Sequence, residues 1–69
     1  MITIRFFQDE EASVNFIHEV KANAVPRKDD TVCFWDTGSM KVFSVEQRFE
    51  WSAIENQYEE CWYILVTAI

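Results

Sequence analysis

The sequence predicts a mainly β protein with about five antiparallel strands in a small curled sheet or SH3-like barrel. Three observations support this prediction. Hydrophobic residues make up 49% and aromatic residues 16% of the 69-residue chain, so a dense core can form despite the short length. Apolar and polar residues alternate with a period of two in several segments, as in half-buried strands. The chain has one glycine and one proline, which argues against disorder and predicts a single domain over residues 1–69.

The first part of the chain predicts two strands joined by a short acidic connection. Ile2, Ile4 and Phe6 alternate with polar residues and predict the first strand. Residues 12–24 fit a strand and an amphipathic helix about equally, but their β-branched and aromatic residues favour the strand. The alternative is an α+β fold in which a helix at 10–23 packs on a four-stranded sheet.

The single proline ends this second element. Pro26 fixes its own φ and biases Val25 towards an extended conformation, so a regular element does not continue through it. The charged residues 27–30 then form a turn, and residues 31–35 predict the third strand. Gly38 is third in the polar connection 36–39, where a hairpin needs a residue that tolerates a positive φ.

The second half predicts a long strand, a helical turn and a closing strand. The alternation is clearest from residue 40 to 51, which predicts one wet face and places Trp51 on the apolar, core-facing side. Ser52 and Glu55 have the spacing of a capping box, which predicts a short helical turn near 53–60. Residues 61–69 are apolar on both faces, so the last strand is either central in the sheet or covered by a partner.

Charge and composition restrict the partners and the compartment. Twelve acids against six bases give a net charge of −6, which disfavours direct binding to nucleic acid or to a membrane surface and favours a protein partner with a basic surface. The N-terminal residues lack the apolar core of a secretory leader, and no run of 18 apolar residues occurs, so we expect a cytoplasmic protein. Cys33 and Cys61 are too few for a disulfide framework, and we expect both to be reduced core residues.

No pattern of residues predicts catalysis, a metal site or a cofactor site. The single histidine, His18, has no nucleophile at a recognised spacing. We expect His18 to be a polar side chain in a half-buried strand. Asp29, Asp30 and Asp36 lack the alternating ligand pattern of a calcium loop. One glycine cannot form a glycine-rich phosphate loop. We therefore expect no enzymatic activity.

Two groups of residues are candidates for protein contacts. An exposed tryptophan at a strand end often anchors an interface, and carboxylates on one strand face and on the following turn could occupy a basic groove. The candidate partner-binding residues are Trp35, Asp36, Glu46, Glu50, Glu55, Glu59 and Glu60. The candidate oligomer interface is one of the two apolar faces of the last strand, the face formed by Trp62, Ile64 and Val66.

The run Val25-Pro26-Arg27, followed by Asp30-Thr31-Val32 and then by Val42-Phe43-Ser44-Val45, resembles small phage and prophage proteins of about this size. Those proteins carry a Val-Pro-Arg-x-Gly-Asp-x-Val turn, in which Asp29 stands here in place of the glycine. The resemblance covers residues 25–49 and implies a phage-like origin and a bacterial host cell. It implies architecture rather than chemistry, because most such proteins have no assigned activity.

These observations lead to two hypotheses of function. The first is a non-enzymatic, phage-like interaction protein that binds and inhibits a host nucleic-acid-processing or defence factor through an acidic, aromatic-edged surface. The second is a structural or assembly module that forms a homo-oligomer through its C-terminal strand.

Overall fold

The computed structural model describes residues 1–10 and 13–69, and it confirms the mainly β fold class. The strands are β1 (Ile2–Glu10), β2 (Ser13–Ala22), β3 (Thr31–Phe34), β4 (Gly38–Ser52) and β5 (Gln57–Ala68). They form one sheet in the order β2-β1-β5-β4-β3, which curls into a half-barrel. Within these described ranges there is no helix long and apolar enough to cross a membrane.

The sheet is mixed, which corrects the expectation that all strands are antiparallel. β1 pairs with β2, and β4 pairs with β3 and β5, in antiparallel fashion. β1 and β5 run parallel, from Thr3 opposite Cys61 to Gln8 opposite Val66. The alternation of apolar residues identifies a strand but carries no information about the direction of a neighbour that is distant in sequence. β5 is therefore a central strand, which explains why both of its faces are apolar.

The core lies on the concave face of the half-barrel. Side chains from β1, β4 and β5 that alternate along each strand form it, because successive residues of a strand point to opposite faces. Phe34 of β3 extends the core by packing its ring edge-on against Phe6, with ring centroids 4.9 Å apart. The buried members are Ile4, Phe6, Met40, Val42, Ile64 and Val66.

Residues 13–22 are a strand, so the alternative with a helix at 10–23 is wrong. β2 pairs with β1 along its whole length, from Ile2 opposite Ala22 to Glu10 opposite Ser13. A bulge interrupts the pairing where Phe6 faces His18 and Phe7 faces Phe16. The extra residue is Ile17, which packs against the core. This bulge explains why neither a strict period of two nor a helical period fits the segment completely.

The charged turn after Pro26 is hydrogen bonded to β4. Asp29 adopts a φ of 74°, and its amide N–H donates to the Val42 carbonyl at 2.9 Å. The Val42 amide donates in turn to the carbonyl of Asp30 at 2.8 Å. Asp29 is therefore a non-glycine residue in the left-handed region, which aspartate tolerates better than most residues. Gly38 has a φ of 83°, which confirms the hairpin prediction for this residue.

The predicted helical turn near 53–60 is only the tight turn 53–56, because residues 57–60 belong to β5. The Glu55 amide donates to the Ser52 hydroxyl at 3.3 Å, as in a capping box. Asn56 then takes a φ of 54°, which reverses the chain before a second turn can form.

The two cysteines are free and lie in different environments. Cys61 is buried, and its burial raises the pKa of the thiol. Cys33 is exposed, so the expectation of a core residue is wrong there. It sits opposite Ser39 in the β3–β4 hairpin, on the face away from Val32 and Phe34, which pack against the core.

Candidate functional site

The hairpin of β4 and β5 extends beyond the strands that flank it. β1 pairs with β5 only from Cys61 onwards, and β3 pairs with β4 only as far as Lys41. β4 and β5 continue to pair with each other to Ser52 opposite Gln57. We call residues 46–60 the arm. Its distal part, residues 49–60, is a two-stranded ribbon that has no neighbouring strand within the described residues.

The arm exposes large apolar side chains. Phe49 is 63% exposed, Trp51 56%, Tyr58 67% and Ile54, at the turn, 97%. Trp51 and Tyr58 form a cross-strand pair with edge-to-face rings 5.2 Å apart. The expectation that Trp51 is a core residue is wrong. The alternation places it correctly on the face of Phe49, but in this part of the arm no described residues form a second layer over that face.

The arm also carries most of the predicted partner-binding residues. Five of the twelve acids and one of the six bases of the chain lie in it. The predicted residues that it brings together are Glu46, Glu50, Glu55, Glu59 and Glu60. Trp35 and Asp36 lie in the β3–β4 turn, at the opposite end of β4. Because of this position, neither residue belongs to the arm. Trp35 is 94% exposed, whereas Asp36 is held by His18.

Arg5, which lies on β1, holds the base of the arm in place. Its Nη1 donates to Glu50 Oε1 at 2.6 Å and to the Tyr63 hydroxyl at 3.1 Å, and its Nε donates to Glu19 Oε1 at 3.0 Å. The Tyr63 hydroxyl donates to Glu50 Oε2 at 2.7 Å. The hydrogen bond from Tyr63, followed by that from Arg5, lowers the pKa of Glu50. The hydrogen bonds to Glu19, Glu50 and Tyr63, in that order, raise the pKa of Arg5. Each carboxylate oxygen of Glu50 therefore accepts a hydrogen bond from a side chain of the same chain.

Sequence reasoning did not single out Arg5. The available signal was a cation on the polar side of the first strand, with acids on the polar sides of two others. That signal becomes specific only when the strand order is known, because Arg5 and Glu50 lie on strands separated by β5.

Glu46 is also paired within the arm. Arg48 Nη2 donates to Glu46 Oε2 at 3.2 Å, and this hydrogen bond raises the pKa of Arg48. The Arg48 guanidinium lies over the Tyr63 ring, 4.2 Å from its centroid. Arg5 and Arg48 thus contact the same tyrosine, and they neutralise Glu50 and Glu46, respectively.

The three remaining carboxylates of the arm have no cationic partner among the described residues. Glu55 accepts from the side-chain Nε2 of Gln57 at 3.1 Å, and Glu60 accepts from Trp62 Nε1 at 3.0 Å. Glu59 stands directly opposite Glu50 in the strand pairing. The uncompensated negative charge of the arm therefore lies on the turn and on β5, beside its exposed apolar side chains.

The predicted oligomer interface lies outside the arm. Ile64 and Val66 are completely buried in the core of the chain itself, so their side chains offer no surface to a second copy. Trp62 is half-buried on the same concave face and packs against the core.

Neither metal chemistry nor a family assignment adds to this site. In residues 1–10 and 13–69, no group of three or more histidine, cysteine, aspartate or glutamate side chains could hold a metal ion. Comparisons with protein-family models, with curated proteins and with solved structures give no match to this chain.

Proposed function

We propose that this protein is a non-enzymatic interaction protein that binds a host protein through the arm. The bound protein is a nucleic-acid-processing or defence factor of a bacterial cell, and binding inhibits it. One observation carries this proposal: the distal arm places exposed apolar side chains next to carboxylates that have no cationic partner in residues 1–10 and 13–69. The apolar members are Trp51, Ile54 and Tyr58, and the carboxylates are Glu55, Glu59 and Glu60.

The apolar residues of the arm favour a partner over free solvent. A two-stranded ribbon is marginal by itself, and burial of an aromatic side chain contributes roughly 1.5–3 kcal/mol. Trp and Tyr are also the residue types that most often dominate the binding energy of an interface. Trp51 and Tyr58 already contact each other edge-to-face, so they lose little side-chain entropy on binding.

The charge of the arm favours a basic partner. Glu55, Glu59 and Glu60 are free to form ion pairs across an interface because Arg5 and Arg48 serve the other two acids. Complementary charge accelerates association and excludes acidic competitors. Proteins that process nucleic acids carry such basic surfaces, which bind phosphates by the same attraction. The resemblance of residues 25–49 to small phage and prophage proteins supports the choice of a bacterial cytoplasm as the place of action.

A capture experiment with matched tryptophan variants tests this function. Wild-type protein, Trp51→Ser and Trp35→Ser are immobilised and exposed to bacterial lysate at low and at high salt. Trp35 is the control, because it is also exposed but lies at the other end of β4. We expect a basic protein on the wild type and on Trp35→Ser, release of that protein by high salt, and its loss on Trp51→Ser.

Inhibition is then measured directly. The captured protein is purified and its activity titrated with wild type and with a Glu55→Gln, Glu59→Gln, Glu60→Gln variant. The proposal expects inhibition by the wild type and at least about tenfold weaker inhibition by the variant, which corresponds to 1.4 kcal/mol. Equal capture by Trp51→Ser, or full activity of the captured protein at saturation, would contradict the proposal.

A further inference from the structure

The outer edge of β4 has a long unpaired segment. Asp29 and Asp30 bond to both backbone groups of Val42, and β3 ends its pairing at Lys41. From residue 44 to residue 52, no other described strand pairs with this edge. Unpaired N–H and C=O groups along a strand edge form a template for another strand.

The free edge of β4 is less interrupted than the other long edge of the sheet. The outer edge of β2 is broken at Ile17 by its bulge, which divides it into two short runs. Bulges of this kind protect an edge against pairing. The bulge of β4 lies between Val42 and Ser44, before the free segment begins, so residues 44–52 are regular.

The side chains of this segment are self-complementary in one antiparallel register. Glu46, Arg48 and Glu50 share one face, and Gln47, Phe49 and Trp51 share the other. If a two-fold axis passes through Phe49, Arg48 lies opposite Glu50 of the second copy, and this happens twice. On the other face, Phe49 meets Phe49 of the second copy, and Gln47 meets Trp51. Opposite charges and aromatic pairs at directly opposed positions stabilise neighbouring strands.

The registers shifted towards Val42 are unfavourable, and an axis at Glu50 places Glu50 against itself. An axis at Arg48 places Arg48 against itself and Glu46 against Glu50, so like charges oppose each other at three positions. An axis at Gln47 places Ser52 of the second copy opposite Val42, whose N–H and C=O already bond to Asp30 and Asp29. The register centred on Phe49 keeps the second copy clear of that turn.

We propose that the protein forms a two-fold symmetric dimer in which the outer edges of β4 pair antiparallel around Phe49. The two sheets then join into one continuous sheet, and the Phe49 side chains of the two copies lie side by side across the axis. The interface is isologous, so its contacts occur in symmetric pairs. The turns 53–56 of the two copies point in opposite directions, which leaves Ile54 and Glu55 accessible. This dimer goes beyond the proposed function and presents the binding site twice.

Cysteine cross-linking tests the register. All variants carry Cys33→Ser, which removes the exposed native thiol, whereas Cys61 is buried. We expect Phe49→Cys to form an interchain disulfide on mild oxidation, because directly opposed residues have Cβ atoms about 4.5–5.5 Å apart. Gln47→Cys and Trp51→Cys should each stay monomeric on a denaturing gel, and a mixture of the two should cross-link. Ile54→Cys is the control for random collision. Cross-linking of Phe49→Cys no faster than that of Ile54→Cys would overturn the proposal.

Sedimentation equilibrium tests the dimer without a cross-link. The wild type should sediment as a concentration-dependent dimer. Phe49→Lys places two like charges on the axis, and we expect it to raise the dimer Kd by at least about tenfold. Ile54→Lys, which changes a more exposed residue at the turn, should leave the Kd unchanged. A strictly monomeric wild type at high protein concentration, or equal Kd values for the wild type and Phe49→Lys, would overturn the proposal.

Discussion

His18 and Asp36 connect the two ends of the strand order. His18 Nε2 on β2 lies 2.9 Å from Asp36 Oδ1 in the turn after β3, and the imidazole stacks on Phe34 with centroids 4.5 Å apart. β2 and β3 are the first and last strands of the sheet and do not pair with each other. This contact therefore closes the curl of the sheet across its concave face.

The first prediction concerns that closure. We expect a double-mutant cycle of His18→Gln and Asp36→Ala to give a coupling free energy of about 0.5–1 kcal/mol, because both groups are only partly exposed. Urea unfolding at constant pH measures it. The Thr37 amide also donates to Asp36 Oδ1, and the cycle cancels the effect of losing that hydrogen bond. A coupling indistinguishable from zero would show that the contact does not stabilise the curled sheet.

The second prediction contrasts two isoleucines of β5 and its preceding turn. Ile64 is completely buried and Ile54 is 97% exposed. Ile64→Ala should lower the free energy of unfolding by about 2–5 kcal/mol, through lost burial and a cavity. Ile54→Ala should change it by no more than about 0.5 kcal/mol. Thermal or chemical unfolding of both variants measures the difference. A large effect at Ile54 would mean that the turn is covered in solution.

Period-two patterning predicts the strands of this chain well and the environment of its faces less well. The alternation in β1, the stop at Pro26 and the positive φ at Gly38 are local properties, and all three appear in the structure. Trp51 shows the limit, because a pattern reports which residues share a face but not whether another layer covers it. Coverage depends on where the neighbouring strands end.

Register shifts and long-range pairing are a second limit. Strict alternation over residues 40–51 places Phe43 on the face of Val45, but Phe43 lies at the bulge between Val42 and Ser44 and is 56% exposed. A single extra residue inverts the faces on either side of it. The parallel pairing of β1 with β5, which also creates the Arg5–Glu50 contact, joins the two ends of the chain. No local pattern encodes that pairing, so the acids of the arm could be proposed from the sequence but not divided into paired and unpaired ones.

The third prediction uses two positions with positive φ. Gly38 has a φ of 83°, and a Cβ added there would meet no atom within 4 Å. Gly38→Ala should therefore destabilise the protein by about 1–2 kcal/mol through backbone strain alone. Asn56→Gly, at a φ of 54°, is the matched control and should be neutral or slightly stabilising. Equal unfolding free energies for the wild type and Gly38→Ala would contradict this explanation.

The fourth prediction concerns pH. The pKa of Glu50 lies below its ordinary value of 4.5 in the folded protein, so between the two pKa values the unfolded chain binds more protons. The stability that Glu50 contributes is present above pH 4.5 and is lost as the pH falls through the folded-state pKa. Glu50→Gln should lower stability at neutral pH by about 1 kcal/mol, discounted for partial exposure, and should flatten the acid limb of the stability curve. Urea unfolding of the wild type and of Glu50→Gln from acid to neutral pH measures the difference, and equal acid limbs for the two proteins would contradict the prediction.

The fifth prediction concerns the local stability of the arm. Amides in residues 61–66 lie in a strand with neighbours on both sides, whereas residues 49–60 form a ribbon without a neighbour in the described structure. In hydrogen exchange at low protein concentration, we expect the amides of residues 49–60 to exchange through local opening, and those of 61–66 only near the global unfolding free energy. Pairing of the β4 edges would add hydrogen bonds to residues 46–52 and none to the outer edge of residues 57–60. At high protein concentration, protection should therefore rise first in residues 46–52. Concentration-independent exchange in both strands of the arm would show that the ribbon opens locally and does not contact a second copy.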